Sequence, residues 1–145
     1  MTNLPKITII TPSYNQGHFI EETIESVLNQ NYPNLEYIIM DGGSTDNTVE
    51  VVKKYEKHIT HWESVKDKGQ SDAIQKGLNI ATGYVVNWLN SDDYYAPGTL
   101  QKVGELFADK STKVVCGASV AAPTTTANTP ALAPSIREVS TASEK

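Results

Sequence analysis

Two apolar, β-branched runs that each stop abruptly on turn-forming residues constrain this chain more than any other feature. Residues 6–11 (KITIIT) close on Pro12, and residues 35–40 (LEYIIM) close on Asp41-Gly42-Gly43. Both have the length and composition of a buried strand running into a turn. Between them Ile20, Ile24, Val27 and Leu28 recur at helical spacing, with Asn15 or Gln16 placed to cap the helix start. The segment reads as a strand-helix-strand unit.

The pattern then repeats. Ser44-Thr45-Asp46 offers cap residues for a helix with Val49, Val52 and Tyr55 on one face, and residues 61–65 form a shorter, weaker strand candidate. The next helix is expected from Ser71, burying Ile74, Leu78 and Ala81 and stopping at Gly83, a residue suited to the left-handed position after a helix. Residues 84–89 (YVVNWL) are a strand ending at Asn90-Ser91-Asp92-Asp93. Pro97 suits the first position of a helix that turns Leu100, Val103, Leu106 and Phe107 inward. Residues 113–116 complete the series as a last short strand.

Alternating strands and helices with short links predict an α/β fold with a mostly parallel, doubly wound sheet, whose ligands lie beyond the carboxyl ends of the strands. The turns at 11–17, 41–46 and 90–96 all fall at such ends and are expected to converge on one crevice. After Gly117 the composition changes to Ala, Thr, Ser and Pro and then to the charged REVSTASEK. The chain thus divides into a folded domain over residues 1–117 and a low-complexity tail over 118–145. That tail has too little apolar surface to offset its ordering entropy and is expected to be disordered.

Of 145 residues, 12 are basic and 17 acidic, a net charge of −5 that repels polyanions and argues against nucleic acid as a partner. Cys116 is the only cysteine, so neither an intramolecular disulfide nor a cysteine-based zinc site can form. The N-terminus has no apolar signal region and no apolar run is long enough to span a bilayer, so a reducing, cytoplasmic setting is expected. Peripheral attachment to the cytoplasmic face of a membrane would leave no mark on such a sequence.

The acidic turns are where chemistry is expected. Asp41, at a strand end before two glycines, can either accept the N–H of a nucleobase or join Ser44 and Asp46 in capping the next helix. The DGGSTDNT string holds more acceptors than one helix start requires. Asp92 and Asp93 are adjacent carboxylates whose repulsion calls for a cation or a helix N-terminus. Mg²⁺ or Mn²⁺, held by one or two carboxylates together with diphosphate oxygens, is one resolution, and capping of the Pro97 helix is the other. Tyr14 can stack on a base or pack on the sheet, and Thr11 and Asn15 can bond a nucleoside or satisfy backbone groups.

Residues 67–72 (DKGQSD) lead into a helix, and a helix N-terminus suits phosphate. Lys68 either pairs with that phosphate or is a solvated surface lysine, and Asp72 either complements the helix dipole or touches the donor. His18, His58 and His61 lack metal-ligand spacing, and Trp62 and Trp88 read as core or crevice walls. No serine sits in a nucleophile elbow, and neither GxGxxG nor GxxxxGK[ST] occurs, which counts against a dinucleotide enzyme and a P-loop NTPase.

Taken in order, ITIITPSYNQGHFIEETIESVLNQNYPNLEYIIMDGGSTDNT, DKGQSDAIQKGLNIATG and WLNSDDYYAPGTL resemble family 2 glycosyltransferases of the GT-A (nucleotide-diphospho-sugar transferase) type over residues 5–117. The resemblance implies a nucleotide sugar, a UDP-sugar first, bound over the strand ends. Thr11 and Tyr14 would lie near the base, Asp41 would accept from it, Asp72 would contact the donor, and Asp92 with Asp93 would hold the diphosphate through Mn²⁺ or Mg²⁺. The family's D-x-D triplet falls on Asn90-Ser91-Asp92, so an amide replaces its first acid. Gly42 stands where a second Asp is frequent, and Ile74-Gln75 where Arg-Asn is common.

The family's catalytic base and most of its acceptor site lie beyond this triplet, in a segment that the Ala/Thr/Pro tail replaces. What the resemblance implies is thus a truncated GT-A fold and inverting transfer to a hydroxyl of a glycan or lipid-linked acceptor, with the base unassigned. The alternative is a catalytically incomplete nucleotide-sugar-binding module. A truncated open sheet is also expected to expose an apolar edge, lowering stability or promoting self-association.

Overall fold

The computed structural model describes residues 3–117. Its elements alternate as β1 (Ile7–Ser13), α1 (Ile20–Leu28), β2 (Leu35–Asp41), α2 (Thr48–Lys54), a 3-10 turn at Glu56–His58, β3 (His61–Ser64), α3 (Gln70–Ile80), β4 (Val85–Trp88) and α4 (Thr99–Ala108). The four strands form one parallel sheet in the order β3-β2-β1-β4, with Ile7 opposite Leu35 and Val85. Helices on both faces make this the doubly wound α/β arrangement that the alternation predicts. The expected tail falls outside the described residues.

Strand alternation divides the core. Ile7 and Ile9 of β1 join Tyr37 and Ile39 of β2 on the face covered by α1, α2 and α4, where Ile20, Ile24, Val27, Val52 and Leu100 are buried. Ile10, Ile38 and Met40 point the other way and pack on Ala73 of α3. A Cβ on Gly77 would come within 2.6 Å of Ile10 Cγ2, so α3 lies on the sheet at a distance only its smallest residues permit. Ala73 and Gly77 therefore face inward, and Leu78, expected in the core, is 44% exposed.

Further departures from expectation have local causes. Residues 113–116 form no strand: Val114 is exposed, and no described strand edge pairs with the segment. Helix α4 starts at Thr99 rather than Pro97, because Gly98 sits at φ 79° and breaks the helical path between them. Neither Asn15 nor Gln16 caps α1 through its side chain; the Gln16 carbonyl instead accepts from the N–H of Phe19 and of Ile20, both at 2.9 Å.

Strand β1 also runs through Pro12 to Ser13 instead of closing on it. The Ile10 carbonyl accepts from Leu89 N on the β4 side, so alternation turns the missing Pro12 donor to that same side. There the β4 ladder has already ended at Trp88.

At the amino ends of the strands the buried Glu36 accepts from the Thr8 hydroxyl at 2.8 Å and from the N–H and hydroxyl of Thr82, and pairs with Lys6 at 2.8 Å. Burial by itself would raise this carboxyl, but the bonds from Lys6, Thr82 and Thr8 outweigh it and hold the group at about 2. The network fastens β1 and β2 to the α3–β4 link. On the α3 face the cover given by the described residues is incomplete. Val86 and Trp88 of β4 share the face of Thr8 and Ile10 by register, yet are 40% and 54% exposed.

Candidate functional site

At the carboxyl ends of the strands an open crevice of about 800 Å³ crosses the sheet. Ser13 ends β1 and Tyr14 follows it, Gly42 and Gly43 follow β2, Lys66 and Asp67 follow β3, and Asn90, Ser91 and Asp92 follow β4. The expected convergence of the three turns is thus observed, with a fourth turn added from β3.

The first two turns are bolted together. Asn15 adopts φ 50°, a left-handed conformation that asparagine tolerates, and its amide oxygen accepts from Thr45 N at 2.8 Å. Its own N–H donates to Ser44 Oγ at 2.8 Å, while Gln16 N donates to Thr48 Oγ1 and Gly17 N to Asp46. Asp46 also accepts from the Thr48 hydroxyl and N–H, and these bonds, the hydroxyl foremost, lower its carboxyl below the ordinary range. The N-cap of α2 is Asn47, which makes no side-chain cap bond; of Ser44-Thr45-Asp46 only Asp46 reaches the helix start, while the other two tie the turn to Asn15 and fix the crevice wall.

Asp41 is 2% exposed and turns back into its own loop. It accepts from Gly43 N at 3.1 Å, Ser44 N at 2.8 Å, the Ser44 hydroxyl and Ser64 Oγ at 2.6 Å. Gly43 sits at φ 84°, which a side chain would strain, so the carboxylate and the glycine together make the turn. Asp41 does not line the crevice. Nor does Thr11, which is fully buried and bonded to the Tyr37 hydroxyl at 3.0 Å.

Asp72 lies in the first turn of α3, away from the lining, where its carboxylate accepts from Lys68 N at 3.1 Å and stands 3.5 Å from Lys76. The Lys68 N–H is the main cause that lowers its carboxyl, helped by the charges of Lys76 and Lys68. Tyr14 lines the crevice and is 59% exposed, a ring free to stack. The lysine at the wall is Lys66 rather than Lys68. Of the tryptophans, Trp62 packs against the main core, and Trp88 stands on the bare face of β4; neither lines the crevice.

In the acidic turn the two carboxylates part. Asp93 accepts from the Asn90 amide at 3.3 Å, while its N–H donates to the Asn90 carbonyl and its own carbonyl takes the Thr23 hydroxyl at 2.7 Å. Asp92 is exposed and lines the crevice, and no described residue donates to its carboxylate. Asn90 Oδ1 accepts from Gln70, tying the start of α3 to this turn. The sequence singled out neither Ser13 nor Lys66, and Asp67 and Gln70 entered only as members of the 67–72 segment leading into a helix. Their place at strand ends was a usable signal for the first three; the Gln70–Asn90 bond, across 20 residues, left none.

The profile of glycosyl transferase family 2 matches residues 8–138. The chain belongs to glycosyl transferase family 2. Among its relatives is TuaG of Bacillus subtilis (strain 168), named as a teichuronic acid biosynthesis glycosyltransferase. It is 39% identical over 117 residues, which cover 77% of this chain and 46% of TuaG. The chain thus spans about half the length of that relative.

Solved structures agree on the fold. S. aureus TarS 1-349 in complex with UDP-GlcNAc is 28% identical with a TM-score of 0.64, covering 73% of this chain and 32% of that one. Mannosyltransferase PcManGT from Pyrobaculum calidifontis, in complex with GDP-Man and Mn²⁺, is 27% identical with a TM-score of 0.66, over 80% and 35% respectively. The sheet is accordingly of the GT-A type, in a chain shorter than these relatives. Among the described residues no helix is long and apolar enough to cross a membrane.

Proposed function

We propose that this chain forms the donor-binding half of an inverting glycosyltransferase, which transfers a sugar from a nucleotide-diphospho-sugar to a hydroxyl of a glycan or lipid-linked acceptor. The observation that carries this is the crevice itself, which joins the turns after all four strands and presents the unengaged Asp92 carboxylate at its β4 end. Relatives named for teichuronic acid synthesis or solved with UDP-GlcNAc and GDP-Man support a UDP- or GDP-sugar donor and a cell-surface polysaccharide product.

Across the sheet, three strand spacings of about 4.8 Å give roughly 14 Å from the β4 turn to the β3 turn. A nucleoside diphosphate fits along that line with its phosphates at Asp92 and its nucleoside over β2 and β3. Tyr14 at the middle supplies a ring against the nucleoside, and Gln70 holds Asn90 so that the acidic turn keeps its shape. Asp41 and Asp72 act one step behind, fixing the turns that carry the lining residues.

No set of three or more His, Cys, Asp or Glu converges among the described residues. A divalent ion here would be held by Asp92, with Asp93 beside it, and by diphosphate oxygens and water, the one- or two-carboxylate arrangement usual for Mg²⁺ and compatible with Mn²⁺. It would offset charge on the departing diphosphate. In the transfer, the acceptor oxygen bonds to the anomeric carbon as the bond to the diphosphate breaks, and the hydroxyl proton passes to a base. That base is not assigned to any described residue. Peripheral association with a cytoplasmic membrane face accords with lipid-linked acceptors.

Calorimetric titration with UDP-, GDP- and dTDP-sugars in Mn²⁺ tests the reading, which fails if none gives heat or a thermal shift. Product formed from a radiolabelled donor, and abolished by Asp92→Asn, separates the transferase from a binding-only module. The bare β4 face, with Val86 and Trp88 exposed, supports self-association of this chain at high concentration.

A further inference from the structure

The segment that carries Asp92 hangs on side chains rather than on the sheet. β4 ends at Trp88 and α4 starts at Thr99. After Leu89 N, which donates to the Ile10 carbonyl at 2.8 Å, no backbone hydrogen bond among the described residues joins residues 90–98 to β1, α1 or α3. The bonds of Asp93 N to the Asn90 carbonyl, Thr99 N to the Ala96 carbonyl and Lys102 N to the Gly98 carbonyl stay within the segment or lead into α4. A link of this kind keeps one conformation only if something else offsets its entropy.

Helix α1 supplies what the ladder does not. Thr23, Ser26 and Gln30 succeed one another at steps of three and four, which puts them on one flank of the helix and the turn that ends it. Thr23 Oγ1 donates to the Asp93 carbonyl at 2.7 Å, and Ser26 Oγ accepts from Tyr95 N at 3.1 Å. The Gln30 amide grips the next stretch with both ends: Nε2 donates to the Ala96 carbonyl at 2.9 Å, and Oε1 accepts from Leu100 N at 3.0 Å. The three are braced along α1 as well, Ser26 Oγ donating to the Thr23 carbonyl at 2.8 Å and Gln30 Nε2 to the Ser26 carbonyl at 3.0 Å. Thr23 is buried among Ile20, Ile24 and Val27, which anchor α1 in the core, so the flank itself is fixed. On the other side the turn is held by the exposed Gln70–Asn90 bond.

We infer that Thr23, Ser26 and Gln30 are positioning residues for Asp92: they pin the backbone one residue beyond it and the stretch that follows, and so hold its carboxylate in the crevice. This rests on the donor-site reading above. The same helix begins just after the turn of Tyr14, where the Gln16 carbonyl takes the N–H groups of Phe19 and Ile20. One rigid element therefore sets the separation between the ring offered to the nucleoside and the carboxylate offered to the metal-bound diphosphate.

The test is a double-mutant cycle on the full chain, read by calorimetric titration with UDP and GDP in Mn²⁺ and in EDTA, at a temperature where every variant is folded. Gln30→Met keeps the side-chain length and removes both bonds to the segment. It is expected to weaken the tighter-binding nucleotide about fivefold in Mn²⁺, inside the roughly tenfold loss set by Asp92→Asn, and to leave binding in EDTA at the wild-type value. Added to Asp92→Asn it should change nothing further, because the carboxylate it positions is gone. Thr23→Val should act in the same sense by about threefold, and Thr23→Ser, which keeps the hydroxyl, should bind as wild type does. Hydrogen exchange at Leu100 N should quicken in Gln30→Met, and at Tyr95 N in Ser26→Ala. If Gln30→Met does not fold, Thr23→Val and Ser26→Ala carry the same cycle.

A purely structural role gives another pattern, with equal losses in Mn²⁺ and EDTA and the same loss on the Asp92→Asn background. Either result overturns the inference. So does wild-type affinity in Mn²⁺ together with faster exchange at Leu100 N, which would show the segment loosened and binding indifferent to it. Wild-type protein whose nucleotide binding gains nothing from Mn²⁺ overturns it while sparing the nucleotide site. Binding of neither nucleotide in either condition removes the donor-site reading, and the inference with it.

Discussion

The two ends of the parallel sheet carry buried acidic residues on the same strand, β2, yet they are organised in opposite ways. At the amino ends Glu36 is enclosed by Lys6, Thr8 and Thr82, and every partner comes from another element. At the carboxyl ends Asp41 is equally buried but bonds mainly its own turn, while Asp67 and the Ser13 hydroxyl near it and Asp92 at the β4 end keep hydrogen-bonding capacity that no described residue uses. A polar network that is satisfied across elements holds the fold together, whereas one left incomplete at a crevice is available to a ligand. Stability and binding should therefore separate by end.

The largest effect is expected at the closed end. Glu36→Ala leaves the Thr82 N–H, two hydroxyls and Lys6 without their acceptor, which should cost about 3 kcal/mol by urea denaturation. A loss under about 1 kcal/mol would show that the network is incidental.

The wild-type group also predicts a pH dependence. Folded Glu36 titrates at about 2 against an ordinary 4.5, so its folded-state pKa is depressed. Its contribution is then complete above the unfolded value and is lost as pH falls from about 4.5 through about 2. On the order of 2–3 kcal/mol should disappear across that window. Glu36→Gln should flatten the curve there, and an unchanged acid limb in that variant would assign acid unfolding to other carboxylates.

At the open end the signs reverse. Asp92→Asn should leave stability within about 0.5 kcal/mol of wild type, because no described residue donates to its carboxylate. Affinity for a nucleoside diphosphate in Mn²⁺ should nevertheless drop by about tenfold, or roughly 1.4 kcal/mol, and chelating the ion with EDTA should abolish the difference between the two proteins. A variant that melts early instead would place Asp92 on the structural side of the comparison.

The same division governs what the sequence made legible. Strands β1 and β2 and the turns after them are local features: β-branched runs stopped by Pro, Gly or Asp show in any short window. The α1 face was readable because Ile20, Ile24 and Val27 answer to helical spacing alone. What escaped depended on distant residues. Helix α3 buries Ala73 and Gly77 rather than Leu78 because Ile10, far away in β1, sets how close the helix lies. Residues 113–116 have strand composition, but composition supplies no neighbouring ladder. The Glu36 network joins residues 28 and 46 positions apart, and the packing of Asp67 against Gly42 spans 25 positions. Asp41 was recognisable as a special position, and its actual bonds hold its own turn at Gly43 and Ser44 and reach Ser64, with none to the start of α2.

The smallest expected effect concerns the face that neither end controls. Val86 and Trp88 stand beside α3 on the part of the sheet that the described helices leave bare, and β4 is an edge strand there. An exposed edge with apolar side chains is a template for pairing with another chain, and a polar residue on it disfavours that pairing without touching the core. Trp88→Ser should therefore shift sedimentation velocity profiles toward monomer while stability stays within about 0.5 kcal/mol. The effect should grow with protein concentration, since only association depends on it. If wild type and variant sediment alike as monomers at high concentration, the bare face is simply tolerated, and the contrast between the two ends accounts for the polar architecture without it.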